Sequence, residues 1–140
     1  KVKGYAPKDA TLYTSTTYLD GIMEKYIPGD YEFNVPSKLI DLYKTKNYGP
    51  YAENGKMPVC FIATNHTTGG NSGSPAIDAK GNLIGLNFDR VWEGTMSDIY
   101  YDPNICRNIM VDARYILFII DKYADAKNII SELKLVHPKK

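Results

Sequence analysis

The sequence predicts a mainly β fold with C-terminal helices, half of a β-barrel carrying a helical tail. Three observations predict it. Short runs rich in Thr, Tyr, Val and Ile fill the middle of the chain, divided by Gly, Asn and Pro. One tight turn, Lys80-Gly81-Asn82, joins two such runs as a hairpin. Beyond residue 111 the apolar residues instead recur at helical spacing, as Tyr115, Ile116, Ile119 and Ile120 do. The 140 residues are one domain's worth of chain, a single unit divided into a strand-rich 1–111 and a helical tail 112–135.

In order, Thr11 to Tyr18 reads as a strand, and Leu19 to Tyr26 is ambiguous, with a short helical turn as one option. Pro28-Gly29-Asp30 is a turn signal. Ser37 is placed to cap a helix with Leu39, Ile40 and Tyr43 on one face, ended by the stretch from Asn47 to Pro50. Asn54-Gly55 turns the chain into a strand from Met57 to Thr64. Pro75 to Asp78 and Leu83 to Phe88 are the two arms of the hairpin. Val91 to Pro103 reads mostly as loop, and Arg107 to Val111 as a further strand. Asp112 is a good N-cap for a helix reaching Tyr123, and Asp125 for a second one that turns Ile129, Ile130 and Leu133 inward.

Composition excludes more than it assigns. Hydrophobic content of 44% is globular, and 17 basic against 16 acidic side chains give a net charge of +1. That balance points to neither nucleic acid nor an anionic membrane surface. The longest apolar run, within Tyr115 to Ile120, is far short of a bilayer span. Cys60 and Cys106 lack metal-type or CxxC spacing, and no metal or cofactor is implied. Cys60 lies in the apolar run Val59-Cys60-Phe61-Ile62, which favours a buried thiol, although a bridge to Cys106 stays open. The opening Lys1-Val2-Lys3-Gly4, with no initiator Met, reads like the middle of something longer.

The informative stretch is Gly70-Asn71-Ser72-Gly73-Ser74-Pro75. A nucleophilic serine needs backbone N–H groups aimed at one point beside it, and glycine lets the chain turn while leaving room for a substrate carbonyl. Ser72 is the candidate nucleophile, with the N–H groups of Gly70 and Ser72 as oxyanion donors. A plain Gly/Ser/Asn surface turn is the competing reading. Over nine residues, Thr67 to Pro75 resembles the nucleophile segment of trypsin-like serine peptidases, glutamyl endopeptidases included. The digestive members carry Asp where Asn71 stands, and Asn cannot make the ion pair by which they mature.

A serine nucleophile also needs a base and a group that orients the base. In the trypsin-like order His and Asp precede Ser, yet residues 1–65 hold no His. His66 is too close in sequence to Ser72 to supply cross-barrel geometry and is expected to hydrogen-bond within its own loop. His137 sits in a Lys-rich tail and is expected to be solvated.

From Leu83 to Met96 the resemblance changes. Leu83-Ile84-Gly85-Leu86-Asn87-Phe88-Asp89-Arg90-Val91-Trp92-Glu93-Gly94-Thr95-Met96 resembles the S46 family of bacterial dipeptidyl peptidases, and so do Tyr18-Leu19-Asp20-Gly21, Tyr26 to Tyr31, Cys106 to Ile109 and Asp112 to Tyr115. The resemblance implies a trypsin-type double β-barrel, with this chain as its second lobe. It also implies a helical insertion elsewhere and a triad His and Asp supplied by the remainder of the chain. The fragment alone is then expected to be inactive. Asp89 matches the carboxylate that holds the substrate's free α-amine, by a charge-assisted bond. Arg90 matches the acid-reading position of dipeptidyl peptidase 11; the dipeptidyl peptidase 7 branch has Gly there. A guanidinium fork suits a P1 Asp or Glu, and an apolar P1 would leave it unpaired at about 1–3 kcal/mol. Thr67 is a weaker candidate for lining that pocket.

The resemblance further implies peptide substrates with an acidic second residue, a homodimer when intact, and a periplasmic, cell-surface or secreted location. Asp89-Arg90 as a surface ion pair is the ordinary alternative for neighbouring opposite charges. Trp92 is read as core or rim packing. Two other readings stay open: an endopeptidase lobe of glutamyl type, and a catalytically dead binding module.

Overall fold

Five strands make one antiparallel sheet in the order β1-β2-β5-β4-β3, with β1 (Thr16–Tyr18), β2 (Pro58–Ala63), β3 (Pro75–Ile77), β4 (Leu83–Arg90) and β5 (Asn108–Asp112). The computed structural model describes residues 14–136. The start of the expected first strand, residues 11–13, and His137 lie outside them. The described residues fall into two compact units, 14–17 with 58–113 and 18–57 with 114–136.

All of the sheet but Tyr18, the last residue of β1, belongs to the first unit. Its centre is β5, which pairs Cys60 with Val111 on one side and Leu86 with Val111 on the other. Phe61, Ala63 and Met110 form the core beneath it, with Ala76 and Ile84 packed against them. Gly85 is forced by this packing: a Cβ there would stand 2.6 Å from the Val111 carbonyl oxygen and 3.0 Å from the Phe61 ring. Any side chain at 85 must push a strand apart, which costs about 1–3 kcal/mol or more.

The predicted hairpin forms. Asp78 holds its turn, its Oδ1 accepting the N–H groups of Lys80 (2.8 Å) and Asn82 (2.9 Å), while Gly81 takes φ +81. The Asn82 side-chain amide, donating to Oδ2 at 3.0 Å, and then those two N–H bonds favour the ionised form and hold the Asp78 carboxyl below its usual range. The return strand runs two residues further than expected, to Arg90. After it, the expected loop contains a 3₁₀ segment, Trp92–Asp98, in which Gly94 N–H donates to Val91 C=O at 2.9 Å. Trp92 does not pack there as expected; it is 86% exposed. Both cysteines are free thiols, Cys106 buried and Cys60 half-buried.

The second unit is helical. The ambiguous stretch after Tyr18 is a helix, α1 (Leu19–Glu24). Ser37 is the first residue of α2 (Ser37–Lys44) rather than its cap, which is Pro36, because proline's fixed φ suits the helix entrance. The buried face is Leu39 and Leu42; Ile40 and Tyr43 are half-buried. Past the end of the helix the chain turns at Lys46, φ +53: Lys46 N–H donates to Tyr43 C=O (3.2 Å) and Asn47 N–H to Leu42 C=O (3.1 Å).

Asp112 stands immediately before the next helix, at the expected N-cap position. It ends β5, buried, and α3 (Ala113–Phe118) follows without a break. α3 passes into a π-helical turn, Ile119–Tyr123, where Ala124 N–H reaches back to Ile119 C=O at 2.8 Å. Across the expected stripe Phe118 is the fully buried residue, and Tyr115, Ile116, Ile119 and Ile120 are only half-buried. Asp125 has φ +53 and pairs with Lys127, while Ala126 is the N-cap of α4 (Lys127–Glu132). On and just after α4, Ile129 and Leu133 are each 45% exposed rather than inward. Among the described residues no helix is long and apolar enough to cross a membrane.

Candidate functional site

The serine loop leaves β2 and enters β3. Two glycines let it turn, Gly70 at φ +95 and Gly73 at φ +84, a region other residues rarely adopt. Asn71 closes it from inside. Its Oδ1 accepts the Thr68 N–H at 2.8 Å, and its carbonyl accepts the Ser74 N–H at 3.1 Å. The side chain is therefore spent within the loop, as an amide acceptor rather than as half of an ion pair. Ser72 is exposed, and among the described residues neither its N–H nor that of Gly70 donates to the protein.

Four asparagines fasten this loop to the sheet. Gly73 N–H donates to Asn87 C=O (2.7 Å), and Asn87 N–H to Ser74 C=O (2.8 Å), extending the β3–β4 pairing into the loop. Asn87 Nδ2 donates to Asn71 C=O at 3.2 Å, and Asn108 Nδ2 donates to Asn87 Oδ1 at 2.8 Å. Asn108 Oδ1 then accepts the Asn65 N–H at 3.2 Å, at the other root of the loop. Asn87 and Asn108 are buried at 7% and 2% exposure, so the bond between them is made away from water, while those to Asn71 and Asn65 are partly buried. The sequence reading missed this chain. Its signal was present: Asn is depleted in strands, yet one stands inside β4 and another opens β5.

The far end of β4 is aimed by a bulge. The register runs Asn87 opposite Met110 but Asp89 opposite Ile109, so Phe88 is the extra residue. A one-residue slip exchanges the two faces of a strand, and here it resets which way Asp89 and Arg90 face. Asp89 is exposed, its Oδ1 accepting the Arg90 N–H at 2.8 Å.

Asp89 is not the ion partner of Arg90. That partner is Asp98, at the end of the 3₁₀ segment. Nη1 donates to Oδ1 at 2.7 Å and Nη2 to Oδ2 at 2.6 Å, two parallel bonds in fork geometry. Nη1 also donates to Ser97 Oγ at 2.9 Å and, at the long limit of 3.5 Å, to the Thr67 carbonyl. Each charge favours the other: hydrogen bonding to Asp98 raises the Arg90 pKa, and hydrogen bonding to Arg90 holds the Asp98 carboxyl below its ordinary range. Arg90 and the root of the serine loop are thus brought together through Thr67, by its backbone rather than its side chain.

His66 does not bond within its own loop as expected. Its Nε2 lies 2.9 Å from the Ser97 carbonyl, and its ring lies 5.0 Å from that of Tyr101. Bonded to a carbonyl, Nε2 is the protonated nitrogen and is not free to accept a proton. A cleft of about 330 Å³ is lined by Thr16, Cys60, Ile62, Arg90, Val91 and Ile109 among others, but by none of residues 67–73. No group of three or more His, Cys, Asp or Glu among the described residues could hold a metal ion.

A peptidase S46 family profile matches residues 1–135. The Asp/Glu-specific dipeptidyl-peptidase of Flavobacterium psychrophilum is 79% identical over 140 residues, all of this chain and 20% of that protein. Dipeptidyl-peptidase 7 of Porphyromonas gingivalis is 48% identical over 135 residues, 96% of this chain and 19% of that one. The crystal structure of Porphyromonas endodontalis DPP11 with the dipeptide Arg-Asp superimposes with a TM-score of 0.90 at 54% identity, over 94% of this chain and 19% of that chain. The chain spans about a fifth of the length of these relatives. Sequence and fold agree over nearly every residue, and the chain belongs to the peptidase S46 family.

Proposed function

We propose that this chain is the nucleophile-bearing part of a serine dipeptidyl peptidase that releases N-terminal dipeptides ending in Asp or Glu. Ser72 Oγ attacks the carbonyl after the second residue, and the N–H groups of Gly70 and Ser72 receive the developing oxyanion. Loss of one such donor costs about 100- to 1000-fold in turnover. Asp89 holds the substrate's α-ammonium, Arg90 takes the P1 carboxylate, and Thr67 borders that subsite. The general base and the carboxylate that orients it come from the rest of a longer chain, which also completes a trypsin-like double barrel around this sheet. The proposal includes an exported protein that acts as a homodimer.

The observation that carries this reading is the state of Arg90. Its guanidinium stands beside the root of the serine loop and already grips a carboxylate with two bonds of 2.6 and 2.7 Å. A fork that holds Asp98 in this way fits a P1 Asp or Glu by the same geometry. The similarity to an Asp/Glu-specific relative supports the same assignment.

The test uses the full-length protein and paired dipeptidyl substrates that differ only in a P1 Glu or Leu. Arg90→Gly is expected to lower kcat/KM for the acidic substrate by about 100-fold, the loss of one charged, bidentate contact, and to leave the apolar one favoured. Unchanged selectivity would remove Arg90 from the site. Acetylating the substrate's α-amine is expected to abolish cleavage. Efficient cutting of the acetylated peptide would support an endopeptidase instead.

A further inference from the structure

We propose that Asp98 is a specificity-setting residue: it occupies the carboxylate fork of Arg90 when no acidic side chain is bound, and a P1 acid binds by displacing it. This deepens the proposed function and rests on its assignment of Arg90 as the acid receptor.

Three observations carry the inference. Asp98 satisfies the fork as an incoming carboxylate would, with both oxygens on both terminal nitrogens at 2.6 and 2.7 Å. Arg90 has other anchors, Ser97 Oγ at 2.9 Å and the Thr67 carbonyl at 3.5 Å, so it keeps its place when Asp98 leaves. Asp98 can leave without a buried charge resulting, because its side chain is 49% exposed while that of Arg90 is 25% exposed. A carboxylate moving outward from this position is met by water.

The consequence corrects the simple account of selectivity. An apolar P1 does not strand an unpaired guanidinium, because Asp98 remains on it. An acidic P1 gains only the difference between its own bonds and those of Asp98. A receptor that is free for only a fraction of the time binds more weakly by that fraction. Asp98 therefore narrows selectivity from both sides, weakening the preferred substrate and sparing the other. The contrary role has a contrary sign. If Asp98 served to orient Arg90 and left its Nε–Nη2 edge for the substrate, removing Asp98 would weaken the binding of acids.

The experiment compares Asp98→Asn and Asp98→Ala in the full-length protein on the P1 Glu and P1 Leu substrates. Both variants are expected to lower KM for the Glu substrate about tenfold, with kcat nearly unchanged, and to lower kcat/KM for the Leu substrate, widening the ratio between them. A KM for Glu that rises or stays the same in both variants overturns the proposal. Arg90→Gly, assayed alongside, separates the two layers: if it leaves the Glu preference intact, the reading of Arg90 fails by itself. In an Arg90→Gly background, Asp98→Asn is expected to change nothing further. A change in Glu KM there would show that Asp98 acts by another route and would also overturn the proposal.

Discussion

The two ends of β4 are built from different chemistry. At the Asn87 end every tie to the serine loop is a neutral hydrogen bond, and the two asparagines at its centre are buried. At the Arg90 end the ties are ionic and half open to water. Buried neutral bonds are stiff and indifferent to salt and pH, since a lost partner leaves a polar group unsatisfied away from water. Exposed ion pairs exchange partners readily and contribute little to stability. One strand therefore carries a fixed end beside Ser72 and an exchangeable end at Arg90; under the proposed function the first holds the attacking atom and the second compares substrates. The bulge at Phe88 divides them.

The comparison breaks most visibly at the fixed end. In the full-length protein Ser72→Ala is expected to remove peptidase activity by about 10⁴-fold or more, with the fold and the KM of any residual turnover unchanged. Turnover that survives this change would place the nucleophile elsewhere. The next effect is smaller and tests the asparagine chain. Asn108→Ala leaves the Asn87 Oδ1 and the Asn65 N–H without their partner. The expected cost is about 2–3 kcal/mol in denaturant unfolding of the 140-residue chain. In the full-length enzyme kcat should fall by more than KM rises, because the loop loses its position rather than its substrate contacts. An equal loss for Glu and Leu substrates would fit the fixed end; a loss confined to Glu would mean that the two ends are coupled.

The fixed end was also the more legible in sequence, although not for the reason that makes it fixed. Gly70, Ser72 and Gly73 announced a turn that presents a hydroxyl, because glycine and serine carry that meaning locally. Asn87 and Asn108 stood out only as residues depleted in strands, with nothing local to name their partners, because only the sheet register brings them together. Arg90 was singled out in sequence by its resemblance to an acid-reading position; its ion partner was not. Asp98 sits eight residues on, in what read as loop, and its approach depends on the bulge at Phe88 and on the 3₁₀ turn after Val91. Neither leaves a pattern that periodicity can show. The helices failed in a related way. The stripe in Tyr115 to Ile120 obeys a 3.6-residue period, but the helix does not keep that period past Ile119, and the fully buried residue is Phe118, which the stripe leaves out.

The smallest expected effect distinguishes the two ends by pH. Hydrogen bonding to Arg90 lowers the Asp98 pKa, so the pair is intact at neutral pH. A carboxyl lowered in the folded state contributes stability above its unfolded value, about 3.9, and that contribution is lost as pH falls through the folded value. Carboxyl-carbon resonances of the 140-residue chain, followed downward from pH 6, should show Asp98 titrating below the ordinary aspartate range. Arg90→Gly should return its midpoint toward that range. The amide signals of Gly73 and Asn87 should not follow this titration, because no group in the asparagine chain changes charge there. If Asp98 titrated normally in both proteins, its bonds to Arg90 would not persist in solution, and the exchangeable end would lack its resident carboxylate. If Gly73 moved with Asp98, the bulge would transmit the charge state of the Arg90 end to the serine loop, and the two ends would be one site rather than two.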